Sequence, residues 1–179
     1  MTKSLLAGAL LSVCLAVMAQ GATAAPFGNE QDILFAKELW QALEKSQLVG
    51  PERINVRPFE GNEPHGAIQQ VLGSKVMAGG RTAKVLVKVN HGGKDASVAS
   101  VYDKPNAYIG AYTVMFKREA GYDAENKDWF WAKYKPDGTL DKNPKGLALA
   151  GRVAKGADKG CIFCHTSIGG DDLETLTEK

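Results

Sequence analysis

The sequence predicts an α+β fold: a mainly antiparallel β-sheet with an N-terminal helix and a short C-terminal helix. Three observations carry this. Lys84-Val85-Leu86-Val87-Lys88-Val89-Asn90 sets three valines on one face at a period of two. Residues 111–118 and 128–135 alternate in the same way and are rich in aromatic and β-branched side chains. Between 29 and 47, Ile33, Ala36, Trp40 and Leu43 instead recur every three or four residues, which is helical spacing.

Taken in order, the helix over 29–47 has Asn29 or Asp32 as its cap and Gly50-Pro51 as its stop. Residues 51–82 hold three prolines and five glycines' worth of interruption around Pro51, Pro58, Pro64 and Gly79-Gly80 and read as irregular, with room for a short helix at 66–72. After the valine strand, Gly92-Gly93 is a turn, Val98–Tyr102 a second strand and Ala111–Arg118 a third. In that third strand Tyr112, Val114 and Phe116 face one way, and Thr113, Met115 and Lys117 the other. The strand from Asp128 to Lys135 puts Trp129 and Trp131 on one face, with Phe130, Ala132 and Tyr134 opposite, and ends at Pro136-Asp137-Gly138. A loop over 140–150, a short helix over 157–166 and a tail complete the reading.

The first 24 residues form an expected secretory signal peptide. Lys3 supplies the positive region, Leu5–Ala19 the apolar run, and Ala22-Thr23-Ala24 the small-residue exit, with the cut after Ala24. The apolar run is shorter than the roughly 20 residues that span a bilayer. Residues 25–179 are then one domain, large enough for a real core. The whole chain carries +2; Lys3 leaves with the leader, giving +1, and the remaining lysines are scattered among acids. That pattern gives no basic block for a nucleic-acid partner.

Cysteine placement narrows the chemistry. Cys14 lies in the leader, so two cysteines remain, in Cys161-Ile162-Phe163-Cys164-His165. C-x-x-C-H is the attachment pattern of c-type haem. Two thioethers grip the porphyrin edge, and the adjacent imidazole reaches the iron from one face. A zinc site would need about four ligands, and only His65 and His91 are left to complete one. A thioredoxin-like C-x-x-C belongs early, after a first strand. The pattern therefore implies one covalently attached haem c on Cys161 and Cys164, with His165 as the proximal iron ligand, in an exported, periplasmic protein. No methionine follows His165, unlike the small electron carriers, and the valine alternation contradicts a four-helix bundle.

A β domain with a C-terminal C-x-x-C-H resembles the cytochrome P-460 family, which includes the cytochromes c′-beta. The resemblance covers roughly 84–172. It rests on Thr113-Val114-Met115-Phe116-Lys117-Arg118-Glu119, on Asp128-Trp129-Phe130-Trp131-Ala132-Lys133-Tyr134, and on Gly160–His165. It implies a homodimer of small, mostly β subunits that binds or oxidises small nitrogen compounds, hydroxylamine or nitric oxide, and exchanges electrons with a periplasmic redox partner. It also implies that Lys117 contacts the haem or is cross-linked to it. The chain departs from the hydroxylamine oxidisers in the short segment between Lys117 and Trp129, and no residue there is assigned as the distal base, so enzyme activity stays open.

What faces the iron opposite His165 separates ligand binding from electron transfer. His65, His91, Met77 and Met115 are the candidates. His91, beside Gly92-Gly93, reads as an exposed turn residue, Met77 as packing, and Met115 as pocket lining. His65, between Pro64 and Gly66, is the one internal ligand that a loop could bring over the haem. An open position lined by aromatics from among Phe116, Phe130, Trp129 and Trp131 is the expectation, and a six-coordinate electron carrier the alternative.

Overall fold

The computed structural model describes residues 26–62 and 64–174, with the side chain of Asp171 excepted. The leader and its cut after Ala24 lie outside these residues. Three helices and six strands follow one another: α1 (Glu30–Lys45), β1 (Phe59–Glu60), β2 (Ile68–Ala78), β3 (Arg81–His91), α2 (Val98–Asp103), β4 (Ile109–Lys117), β5 (Trp129–Tyr134), β6 (Ala150–Gly151) and α3 (Cys161–Ile168). The strands form one antiparallel sheet in the order β1-β2-β3-β4-β5-β6, so each pairs with its neighbour in sequence. Among the described residues no helix is long and apolar enough to cross a membrane.

The predicted helix is α1. Asn29 caps it, its side chain accepting from the Asp32 amide at 2.9 Å. Ala36, Leu39, Trp40 and Leu43 are buried against one face of the sheet. That face carries Val85, Val87 and Val89 of β3, Tyr112, Val114 and Phe116 of β4, and Phe130, Ala132 and Tyr134 of β5. The phases expected for all three strands hold. Phe35 wedges against Phe130, with ring centroids 4.7 Å apart, and the Tyr134 hydroxyl donates to the Ala36 carbonyl at 2.8 Å, tying helix to sheet.

Three expectations are corrected. The stretch 51–82 is not irregular throughout, and 66–72 is not a helix: Ile68–Ala78 is β2, paired along its length with β3. Gln69, Gln70, Gly73, Ser74 and Lys75 break its apolar pattern, but the two-residue turn Gly79-Gly80 fixes its register. Both glycines have positive φ, +59° and +71°, the geometry a tight hairpin between right-twisted strands requires. Val98–Asp103 is a helix rather than a strand. Ser97 and Ser100 form a reciprocal capping box, which satisfies the first-turn amides and outweighs the local strand preference of the valines. The third correction concerns two side chains. Met77 is exposed rather than packed, and His91 is buried rather than in an exposed turn.

His91 closes a buried polar network. Gln70 Oε1 accepts from Arg53 Nη2 at 2.6 Å and from His91 Nε2–H at 2.9 Å. Arg53 also donates to Asn106 Oδ1 and to the Pro105 carbonyl. These bonds pin the 51–56 and 104–106 loops to β2 and β3. With Nε2–H donating, His91 Nδ1 is left buried without a partner. Burial first, and the Arg53 charge second, pull His91 down to about 4 from its ordinary 6.5. The unfolded chain therefore binds this proton at higher pH than the fold does, and stability present above 6.5 is lost as pH falls toward 4. We expect the urea-unfolding free energy to drop over that window, and His91→Gln to remove up to ~3 kcal/mol of the drop. Identical pH dependence in the two proteins would show that His91 does not titrate with folding.

Candidate functional site

The second face of the sheet builds the site. The pleat that sends the valines toward α1 sends Leu86, Lys88 and Asn90 of β3 the other way. Register places Leu86 opposite Met115 and Lys88 opposite Thr113, and β5 adds Trp131 opposite Met115. Over this face lies α3, whose Ile162 packs with Leu86, Met115, Trp129, Trp131 and Val153. The predicted helix over 157–166 thus begins later, at Cys161, after Gly160 at φ +112°. That conformation suits glycine and starts the helix at the first cysteine. A cavity between α3 and the sheet is lined by His65, Leu86, Lys88, Thr113, Met115, Trp131, Cys161 and His165, with Val114 and Ala132 behind.

His65 and His165 face each other across this cavity. Their ring centroids are 6.2 Å apart and the rings are nearly perpendicular, at 85°. His165 Nδ1–H donates to the Leu173 carbonyl at 2.8 Å. A carbonyl only accepts, so the proton is on Nδ1 and Nε2 keeps its lone pair. His65 Nδ1 lies 3.3 Å from Thr113 Oγ1, which Asn90 Nδ2 also approaches at 3.3 Å. Burial pulls His65 down to about 4, helped by the Lys88 charge, and burial lowers His165 as well. Both rings are neutral near pH 7, the form that ligates a metal.

The remaining sequence candidates divide. Cys161 lines the cavity, and Cys164 lies one turn on along α3; both thiols are free. Met115 lines the cavity, as expected. Of the four aromatics available for the distal face, Trp131 alone is among the cavity-lining residues described. Phe116 and Phe130 belong to the α1 face. His91 stands in the Gln70 network, and Met77 at the exposed hairpin end. Lys117 Nζ is 2.5 Å from Asp172 Oδ1 and 4.6 Å from the centre of the Trp129 ring. Sequence reasoning missed Thr113 as the partner of His65, Trp131 as the neighbour of His165 at 4.7 Å, and the whole Asp172–Leu173 segment. Strand phase could have found the first two, since Thr113, Met115, Lys117 and the tryptophans all follow from alternation.

The donor set fits a haem c in two respects. Among the described residues no group of three or more His, Cys, Asp or Glu side chains could hold a bare metal ion. Two imidazoles are the number of protein donors that an iron held in a porphyrin would take. Two metal–nitrogen bonds of about 2 Å each plus the half-widths of the rings come to about 6 Å, close to the spacing observed. The Trp131 indole N–H is buried without a partner, a donor waiting for an acceptor. The space enclosed between the walls is only about 20 Å³. A porphyrin therefore requires the sheet wall and α3 to part around the two rings. No protein-family model, no curated protein and no solved structure matches the chain.

Dense surroundings raise the Cys161 thiol to about 11. In haem-free Cys164→Ser protein, alkylation of Cys161 should therefore climb about tenfold per pH unit from pH 8 and level off near 11. Levelling near 8.5, the ordinary thiol value, would show that the first cysteine is not enclosed.

Proposed function

We propose that this protein is an exported c-type cytochrome that carries single electrons. One haem is attached to Cys161 and Cys164, with His165 and His65 as its two axial iron ligands. The observation that carries this reading is the facing pair of imidazoles, 6.2 Å apart. Each has its Nδ1 occupied by a protein oxygen. The haem, when bound, supplies a one-electron couple in a form whose two strong ligands keep other molecules off the iron.

The chain's own residues do the rest. The Leu173 carbonyl fixes the tautomer and rotation of His165, and a hydrogen bond at Nδ1 raises the ligand's basicity. Thr113 Oγ1, 3.3 Å from His65 Nδ1, holds the orientation of that ring. Trp131 packs edge-on against His165 and shields it from water. Attachment through thioethers keeps the group on the chain whatever the state of the axial bonds. The predicted leader over 1–24 would deliver the protein to the periplasm, where thioethers of this type serve a soluble or surface-bound redox partner.

A second reading has its own observation. His65 stands in a loop between Pro64 and Gly66, not on a strand or helix; its amide donates to the Asn62 carbonyl at 2.9 Å, and its ring is held by one 3.3 Å contact to Thr113. A ligand so held is displaceable, which would admit nitric oxide or hydroxylamine to the iron as the resemblance to the cytochrome P-460 family implies.

Two experiments test the proposal. Cys161→Ser with Cys164→Ser should abolish haem that survives denaturation, as read by haem-stained gels; haem persisting in the double variant would refute the attachment. The wild-type holoprotein should be low-spin in both oxidation states and slow to bind carbon monoxide. His65→Ala should turn it high-spin and speed that binding at least tenfold. A wild-type spectrum already high-spin, with fast carbon monoxide binding, would replace the electron carrier with the ligand-binding reading.

A further inference from the structure

Lys117, Trp129 and Asp172 meet at the segment that holds the proximal imidazole. The 3-10 turn Asp171–Leu173 follows α3 and doubles back toward the sheet. Asp172 and Leu173 both take left-handed backbone, at φ +57° and +61°. Residues other than glycine adopt that conformation in succession only where the surroundings impose it. The surroundings here are two bonds from the site face of the sheet and one from α3. Lys117 Nζ grips the Asp172 carboxylate at 2.5 Å. Trp129 Nε1–H donates to the Asp172 carbonyl at 2.7 Å. One residue on, the Leu173 carbonyl receives His165 Nδ1–H at 2.8 Å. The Lys117 ammonium lies over the Trp129 ring, so the two anchors also hold each other.

We infer that Lys117 is a positioning residue for the proximal ligand, acting through Asp172 and the Leu173 carbonyl, and is not a covalent partner of the haem. This rests on the reading of His165 as an iron ligand. The chain of contacts runs from β4 and β5, each paired on both sides within the sheet, through a turn with left-handed backbone to one carbonyl oxygen. That oxygen sets the donor strength of His165. A firm acceptor at Nδ1 makes the imidazole a stronger donor, which favours the oxidised iron and lowers the reduction potential. Loosening the turn weakens the acceptor and raises the potential.

The prediction separates this role from simple electrostatics. Removing a cation near the iron by Lys117→Gln would by charge alone lower the potential, and removing an anion by Asp172→Asn would raise it. Acting through the turn, both changes raise it. We expect redox titration of the holoproteins to show a rise for each single variant. The double variant should rise no further than the larger single, as two ends of one link require. Lys117→Arg should restore the potential toward wild type, and Trp129→Phe, which keeps the ring but removes the N–H, should again raise it. Visible spectra matching wild type would establish that each variant still holds its haem in the same site. Unmoved potentials, shifts of opposite sign for Lys117→Gln and Asp172→Asn, or additive shifts would overturn the inference. So would haem recovered on a peptide containing Lys117 after digestion. Absence of covalent haem from the wild-type protein would instead overturn the reading of the site itself.

Discussion

The period of two along β3, β4 and β5 keeps two unlike chemistries on opposite faces of one sheet. One face is packed with Val85, Val87, Val89, Val114, Phe116 and Phe130 under α1. The other presents Leu86, Lys88, Thr113, Met115 and Trp131 to α3. A register slip of one residue in β4 would exchange Phe116 for Lys117, Val114 for Met115 and Tyr112 for Thr113, burying an ammonium under α1. The cost of that exchange holds the register. The same register sets Thr113 opposite Lys88 and Met115 opposite Trp131. Core and site are thus specified by the same pairing.

Burial on the α1 face supplies the stability that the site face does without. Phe116, Phe130 and Tyr134 are fully enclosed, and truncating such an aromatic to alanine costs about 3–5 kcal/mol. The site face instead carries two depressed histidines, a raised thiol and an indole N–H without an acceptor. Each costs free energy in the haem-free fold. Clustering of such costs on one wall marks a place shaped for something beyond the polypeptide's own packing.

The sequence made three of the strands, the first helix and both faces of β4 and β5 legible because alternation and helical spacing are local signals. β2 was hidden for a physical reason. Its pairing is written in the Gly79-Gly80 turn and in its partner β3, while its own glutamines serve the Arg53 and His91 network rather than an apolar face. Ser97 and Ser100 overrode the valines of α2 through a cap that strand propensity does not see. In the site, Cys161, Cys164 and His165 were readable because their spacing is the signal. The facing of His65 and His165 was not, since it depends on where a loop before β2 lands relative to β4. Lys117 was legible as a residue of the site face, but its partner was not: Asp172 reaches it only through a turn with left-handed backbone.

Each strand of the sheet pairs with its sequence neighbour, whereas the two imidazoles come from the β1–β2 loop and from α3 after β6. Neighbouring hairpins close short loops, whereas bringing the two histidines together closes a long one, as does the bond from Gly28 to the Ala150 carbonyl. None of the strand pairings depends on the contact between the histidines, so the sheet has a route to completion without it. Local opening of the His65 loop or of the turn at Asp172 likewise leaves that scaffold closed. Quality control that senses exposed core would pass a chain opened at either place, whatever the separation of its two imidazoles.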